Sequence, residues 1–171
     1  MTDLRSAPVP GLRDDDHLRG PADAALVLVY GDFACPRCAL AWERLSGAPL
    51  RVCFRHFALK AKHPRALALA HAVEAAAQQG AFWTFADALY ADQGHSDDPH
   101  LWALCEREGL DVARFDRDRR AAATADHVAR DVRDAIRAGA TATPTLFVAG
   151  HAPHPGPPSA ALVREWSAII G

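Results

Sequence analysis

The apolar positions change period along the chain, and each change predicts an element. Residues 25–30, ALVLVY, are continuously apolar, short and rich in β-branched side chains, as in a central strand buried on both faces. Pro36 suits the first position of a helix, where its missing N–H costs nothing, so CPRCALAWERL is expected to run as a helix with Cys35 at its N-cap. Gly47, Ala48 and Pro49 end that helix, and LRVCFRHF, residues 50–57, reads as a second strand. Together these segments predict a βαβ unit whose crossover helix begins at two cysteines.

From Pro64 the pattern becomes helical for a long stretch. PRALALAHAVEAAAQQG, AFWTFADALYADQ, PHLWALCEREG, DVARFDRDRRAA and TADHVARDVRDAIRAG follow one another with Gly or Asp between them, and no repeat of fixed period appears. An inserted helical bundle is therefore expected, with Phe82, Trp83, Phe85, Leu89 and Tyr90 as its core. After Gly139 comes ATATPTLFVAG, a proline-initiated apolar strand over Thr145–Val148. The proline-rich HAPHPGPP suits only a short edge strand or turn, and SAALVREWSAII closes the chain as an amphipathic helix. The order β-α-β, helices, β(β)-α predicts an α/β domain with a small mixed sheet at its core. Its parts are expected to be a loosely attached arm at 1–21, a βαβ half at 22–63, a helical insertion at 64–139 and a second half at 140–171.

At 171 residues the chain is long enough to bury a core without covalent staples. Its formal net charge of -2 gives no sign of a nucleic-acid partner. The longest useful apolar run, residues 24–30, is far short of the roughly 20 residues of a membrane span. The first twenty residues hold no apolar leader and carry Asp14, Asp15 and Asp16, so a cytoplasmic location is expected. Thiols are kept reduced there, which makes a Cys-x-x-Cys pair more often catalytic or metal-binding than structural.

Cys35 and Cys38 are such a pair, in the stretch GDFACPRC. A helix N-terminus carries roughly half a positive charge and free N–H donors, so it stabilises Cys35 as a thiolate, and Arg37 adds a fixed charge beside it. Cys38, one turn on, can reach Cys35 to close a disulfide. The pair therefore suits an exposed low-pKa nucleophile and a shielded resolving thiol, with Pro36 stiffening the turn between them. The other readings are two buried structural thiols, or part of a metal site. For zinc the chain offers no second Cys-x-x-Cys, no His-x-x-x-His and no close cluster in sequence, so no metal is expected. Cys53 and Cys105 fit packing roles. His56 fits a hydrogen-bonded structural role, and His151 and His154 lack metal-ligand spacing.

In this order the motifs resemble the thioredoxin superfamily, specifically its DsbA-like branch. DHLRGPADAALVLVYGDFACPRC, FRHFAL, the His63-Pro64 pair, AVEAAAQQGAFW and TATPTLFVAG carry the resemblance over residues 16–170. It is similar in particular to short DsbA-like proteins related to the thioredoxin-like domain appended to some sodium/proton antiporters. The resemblance implies a thioredoxin fold with a helical insertion and thiol:disulfide oxidoreductase activity. Cys35 would be the nucleophile, Cys38 the resolving cysteine and Pro144 a cis-proline against the pair, while the Thr143 backbone pairs with an extended substrate peptide. Substrates would be protein thiols and disulfides or small thiols such as glutathione. No cofactor is implied, since the two sulfurs carry the electrons. Many relatives carry a buried glutamate six residues before the first cysteine; Val29 stands there, and Asp32 is the nearest acid. Two alternatives remain: a glutathione-binding transferase or isomerase, and a non-catalytic metal-binding or interaction module.

Overall fold

The computed structural model describes residues 8–169. These form a five-stranded sheet of order β1-β3-β2-β4-β5, built from β1 (His17–Arg19), β2 (Leu26–Gly31), β3 (Arg51–His56), β4 (Thr145–Val148) and β5 (His154–Pro155). β2 and β3 are parallel, joined by helix α1 (Pro36–Leu45), and every other pairing is antiparallel. Between β3 and β4 the chain makes α2 (Ala66–Ala77), α3 (Phe82–Ala91), α4 (Asp98–Arg107), α5 (Val112–Asp118) and α6 (Ala122–Arg137), and it ends in α7 (Ala160–Ser167). The expected βαβ unit, helical insertion and late strands are all present.

The period-2 alternation of the strands divides the core. Val27, Val29, Val52, Phe54, Leu146 and Val148 join one apolar cluster with α1 and the insertion, while Leu28, Tyr30, Cys53 and Phe147 join a second with Ala135 of α6. Phe82, Phe85, Leu89 and Tyr90 are buried in the first cluster, and Trp83 packs against it, so the aromatic run is core. At the end of β2 only glycine fits: a Cβ on Gly31 would lie 2.7 Å from the Phe54 ring and 3.2 Å from the Tyr90 hydroxyl.

The N-terminal segment departs from the expected loose arm. Its residues 1–7 lie outside the described part, but His17–Arg19 pairs antiparallel with β3. Asp16 anchors this strand by accepting hydrogen bonds from Arg55 Nε at 2.8 Å and Nη2 at 2.7 Å, both side chains being almost fully buried. Arg13 extends the network to Asp131 and Asp134 on α6. The acidic run thus neutralises a buried arginine, a role that charge patterning alone assigns to solvent.

Candidate functional site

Cys35 and Cys38 open α1 where β2 delivers the chain to the edge of the core. Cys35 is the N-cap residue, extended at φ -91° and ψ 118°, and Pro36 takes the first helical position. Both thiols are free, and both residues are nearly covered, Cys35 at 4% and Cys38 at 3% exposure. The expectation of an exposed nucleophile is corrected here. The insertion and the Thr143 loop close over Cys35: its Sγ lies 3.6 Å from the Thr143 carbonyl oxygen, and Gln93 Nε2, just beyond α3, donates to the carbonyls of Phe33 at 2.9 Å and Cys35 at 3.0 Å. No sequence signal marks Gln93, because its partners are backbone atoms far away in the chain.

The two thiols differ sharply in acidity. A hydrogen bond from the Cys38 thiol, together with the Thr143 side chain and the backbone N–H groups of Cys38 and Arg37, outweighs burial and lowers the Cys35 pKa to about 5. Burial raises Cys38 far above the ordinary thiol range, and its hydrogen bond to Cys35 and the Cys35 charge raise it further. One group is thus a thiolate at neutral pH and its neighbour holds a proton. Cys53 and Cys105 lie in the core, where burial pushes them up to about 12 and about 11.

The Thr143–Pro144 peptide bond is cis. The Pro144 carbonyl accepts a 2.7 Å hydrogen bond from the Gly156 N–H, tying this loop to the turn after β5. Arg37 crosses to the same turn, its guanidinium 2.3 Å from where a Cβ on Gly156 would lie, and the left-handed φ of +91° favours glycine there. Asp32, an apparent loop acid, is 2% exposed. Its Oδ1 accepts from the Ala34 N–H at 2.8 Å and its Oδ2 is buried without a hydrogen bond, so burial raises its pKa to about 6. Val29 is a core residue in the same cluster as both cysteines.

A cavity of about 930 Å³ adjoins this site, lined in part by Pro36, Leu40, Trp42, Arg19 and Tyr90. The Arg19 guanidinium lies over the Trp42 and Trp83 rings at 5.1 and 4.6 Å, which roofs the aromatic core with a cation. The fold also gathers ligand-type side chains that sequence spacing left scattered. His17, Glu74 and His127 come from β1, α2 and α6, and His56 of β3 joins them.

The DSBA-like thioredoxin domain family matches residues 49–165, a span that contains Thr143 and Pro144 and begins after Cys38. The Na(+)/H(+) antiporter NhaA 1 of Mycolicibacterium vanbaalenii is 40% identical over 98% of this chain, which corresponds to 30% of that protein. The Na(+)/H(+) antiporter NhaA of Herminiimonas arsenicoxydans is 43% identical over 79% of this chain and 22% of its own length. The chain therefore spans less than a third of these curated relatives. Among solved structures, a thioredoxin-like oxidoreductase from Silicibacter pomeroyi superposes with a TM-score of 0.79 at 23% identity, covering 90% of this chain and 91% of that one. Pseudomonas aeruginosa DsbA2 does so with a TM-score of 0.70 at 26% identity, covering 91% and 94%. With the family match extending over more than half of the chain and the same fold around it, this chain belongs to the DSBA-like thioredoxin domain family.

Proposed function

We propose that the chain is a thiol:disulfide oxidoreductase domain that exchanges disulfides through Cys35 and Cys38. The observation that carries this reading is the opposed acidity of two adjacent thiols, with Cys35 lowered to about 5 and Cys38 raised. In the reducing direction, the Cys35 thiolate attacks one sulfur of a substrate disulfide, forms a mixed disulfide and expels the other sulfur as a thiolate. Cys38 then loses its proton and attacks Cys35, which closes the Cys35–Cys38 disulfide and releases the second substrate thiolate. The substrate disulfide gains two electrons and the cysteine pair loses two; the reverse sequence oxidises a substrate dithiol.

Asp32 is the base we assign to Cys38. Its buried Oδ2 carries no hydrogen bond, and its charge is one of the causes that raise the Cys38 pKa. Thr143 is assigned to substrate, its main chain pairing with an extended peptide beside Pro144. Exposed Leu40 and the cavity at Pro36 and Trp42 offer apolar surface to that peptide. The substrates of this reading are protein or small-molecule thiols and disulfides, glutathione among them, with no organic cofactor. Among the described residues no helix is long and apolar enough to cross a membrane. The compartment we propose is the cytoplasm, where such a pair serves as a catalytic dithiol.

The test is exchange with a model protein disulfide. Cys35→Ser is expected to abolish it and Cys38→Ser to accumulate mixed disulfide. An unchanged rate in Cys35→Ser would overturn the mechanism.

A further inference from the structure

A set of side chains with no part in thiol exchange meets where β1, β3, α2 and α6 converge. Glu74 is 3% exposed, yet three imidazoles face it. His17 Nε2 and His56 Nε2 each lie 2.7 Å from Glu74 Oε1, and His127 Nε2 lies 3.6 Å from the same oxygen. Two ring N–H groups saturate the lone pairs of one carboxylate oxygen. The third imidazole makes no hydrogen bond to either acid: His127 Nε2 stands beyond hydrogen-bonding distance of Glu74 Oε1, and equally of Asp131 Oδ2 at 3.6 Å.

We propose that His17, Glu74 and His127 form a binding site for a divalent transition-metal ion of the zinc class. Their ligand atoms all lie within 4.8 Å of one another. Tetrahedral ligands about 2.0–2.1 Å from an ion are roughly 3.3 Å apart, a separation that the present 2.7 and 3.6 Å contacts to Glu74 bracket. Two imidazoles and one carboxylate suit zinc and exclude magnesium or calcium, which favour all-oxygen sets.

The surroundings complete the site. A cavity of about 840 Å³, lined in part by Glu74, His127, Asp15 and Arg130, opens onto two of the three ligands and gives an ion a path from solvent. With an ion on Nε2, His127 Nδ1 carries the proton and faces Asp15 Oδ2 at 3.5 Å, the carboxylate–histidine–metal arrangement that orients a ligand. Arg130 Nη2, now 3.4 Å from that Nδ1, would give up this contact when Nδ1 takes the proton and keep its ion pair with Asp15. His17, its ring stacked on Phe82 at 3.6 Å, would shift its proton to Nδ1 and exchange the Nε2 hydrogen bond to Glu74 for the ion, while His56 keeps its bond to Glu74. Such an ion would fasten the first strand to two helices of the insertion.

The test uses the full chain with Cys35→Ser and Cys38→Ser, which removes the competing thiolates and makes the result independent of the exchange mechanism. After chelator treatment, the protein is titrated with Zn²⁺ by calorimetry and with Co²⁺ by absorption. One equivalent of each is expected, without thiolate charge-transfer bands. Affinity is expected to fall roughly tenfold or more in His127→Gln and about tenfold in Asp15→Asn, both checked for native circular dichroism. No saturable binding, binding unchanged by His127→Gln, or a thiolate spectrum would each overturn the proposal.

Discussion

The Cys38 N–H donates to the Cys35 carbonyl at 3.1 Å, which holds the two cysteines in one helical turn, and their thiols shift in opposite directions, Cys35 down and Cys38 up. The thiolate is favoured on Cys35 because Cys38 keeps the hydrogen. It follows that alkylation of reduced protein by iodoacetamide should titrate with a midpoint at about pH 5 and be carried by Cys35. The sign follows from linkage: a thiol whose folded pKa is lowered stabilises the reduced protein at high pH and loses that contribution as pH falls through about 5. In exchange with glutathione, whose thiols stay protonated, forming the Cys35 thiolate releases a proton, so acid down to about pH 5 should shift that equilibrium toward the Cys35–Cys38 disulfide. Cys38→Ser should raise the midpoint only in part, because the helix N–H groups and Thr143 remain.

Asp32 gives a second pH signature of the opposite sign. Its carboxyl is raised to about 6 by burial, whereas an unfolded aspartate ionises near 3.9. The folded state holds an extra proton between those values, so stability falls as pH rises through that window. Asp32→Asn should raise stability above pH 6 by on the order of 2 kcal/mol and leave it unchanged near pH 3. The same variant should slow closure of the Cys35–Cys38 disulfide roughly a hundredfold, leaving mixed disulfide to accumulate in quenched reactions.

The Arg55–Asp16 pair should dominate the stability of the first strand. Asp16→Ala leaves a guanidinium that is 3% exposed without its carboxylate, a loss of about 3–5 kcal/mol in urea unfolding. Asp14→Ala, which removes an acid from the same run without touching Arg55, should change stability by less than about 0.5 kcal/mol.

Gln93→Ala should act on the site from the insertion. It removes two hydrogen bonds to the Phe33 and Cys35 carbonyls, at a cost of about 1–3 kcal/mol. Faster amide hydrogen exchange over residues 33–38, with the Cys35 alkylation midpoint unmoved, is the outcome that separates positioning from acidity.

Much of the fold was legible because it rests on local period and punctuation. The run ALVLVY, the Pro36 helix start and the Thr145–Val148 strand all appear where the pattern sets them, and the cysteine pair sits at the helix start it predicts. The missed strand His17–Arg19 has three residues and no β-branched side chain; it exists because the open edge of β3 and buried Arg55 recruit it. Asp32 looks like a solvated loop acid, and only the fold, with the neighbouring Phe33 ring tilted against Tyr90 at 4.8 Å, covers it. Gln93 and the His17, Glu74 and His127 group depend on residues brought together from distant elements, which no spacing in the chain can express.

The central claim is that Cys35 and Cys38 form a redox couple whose reduced state is favoured by the Cys35 thiolate. It is tested most directly by equilibrating the protein in glutathione buffers at pH 7 and counting free thiols, with Cys35→Ser as control. Thiolate stabilisation two pH units below neutrality makes the pair roughly 60 mV more oxidising than one with ordinary thiols, so a two-electron transition between about -270 mV, as in thioredoxin, and about -120 mV, as in DsbA, is predicted. A transition that persists in Cys35→Ser, or none at all in the unaltered protein, would contradict the account.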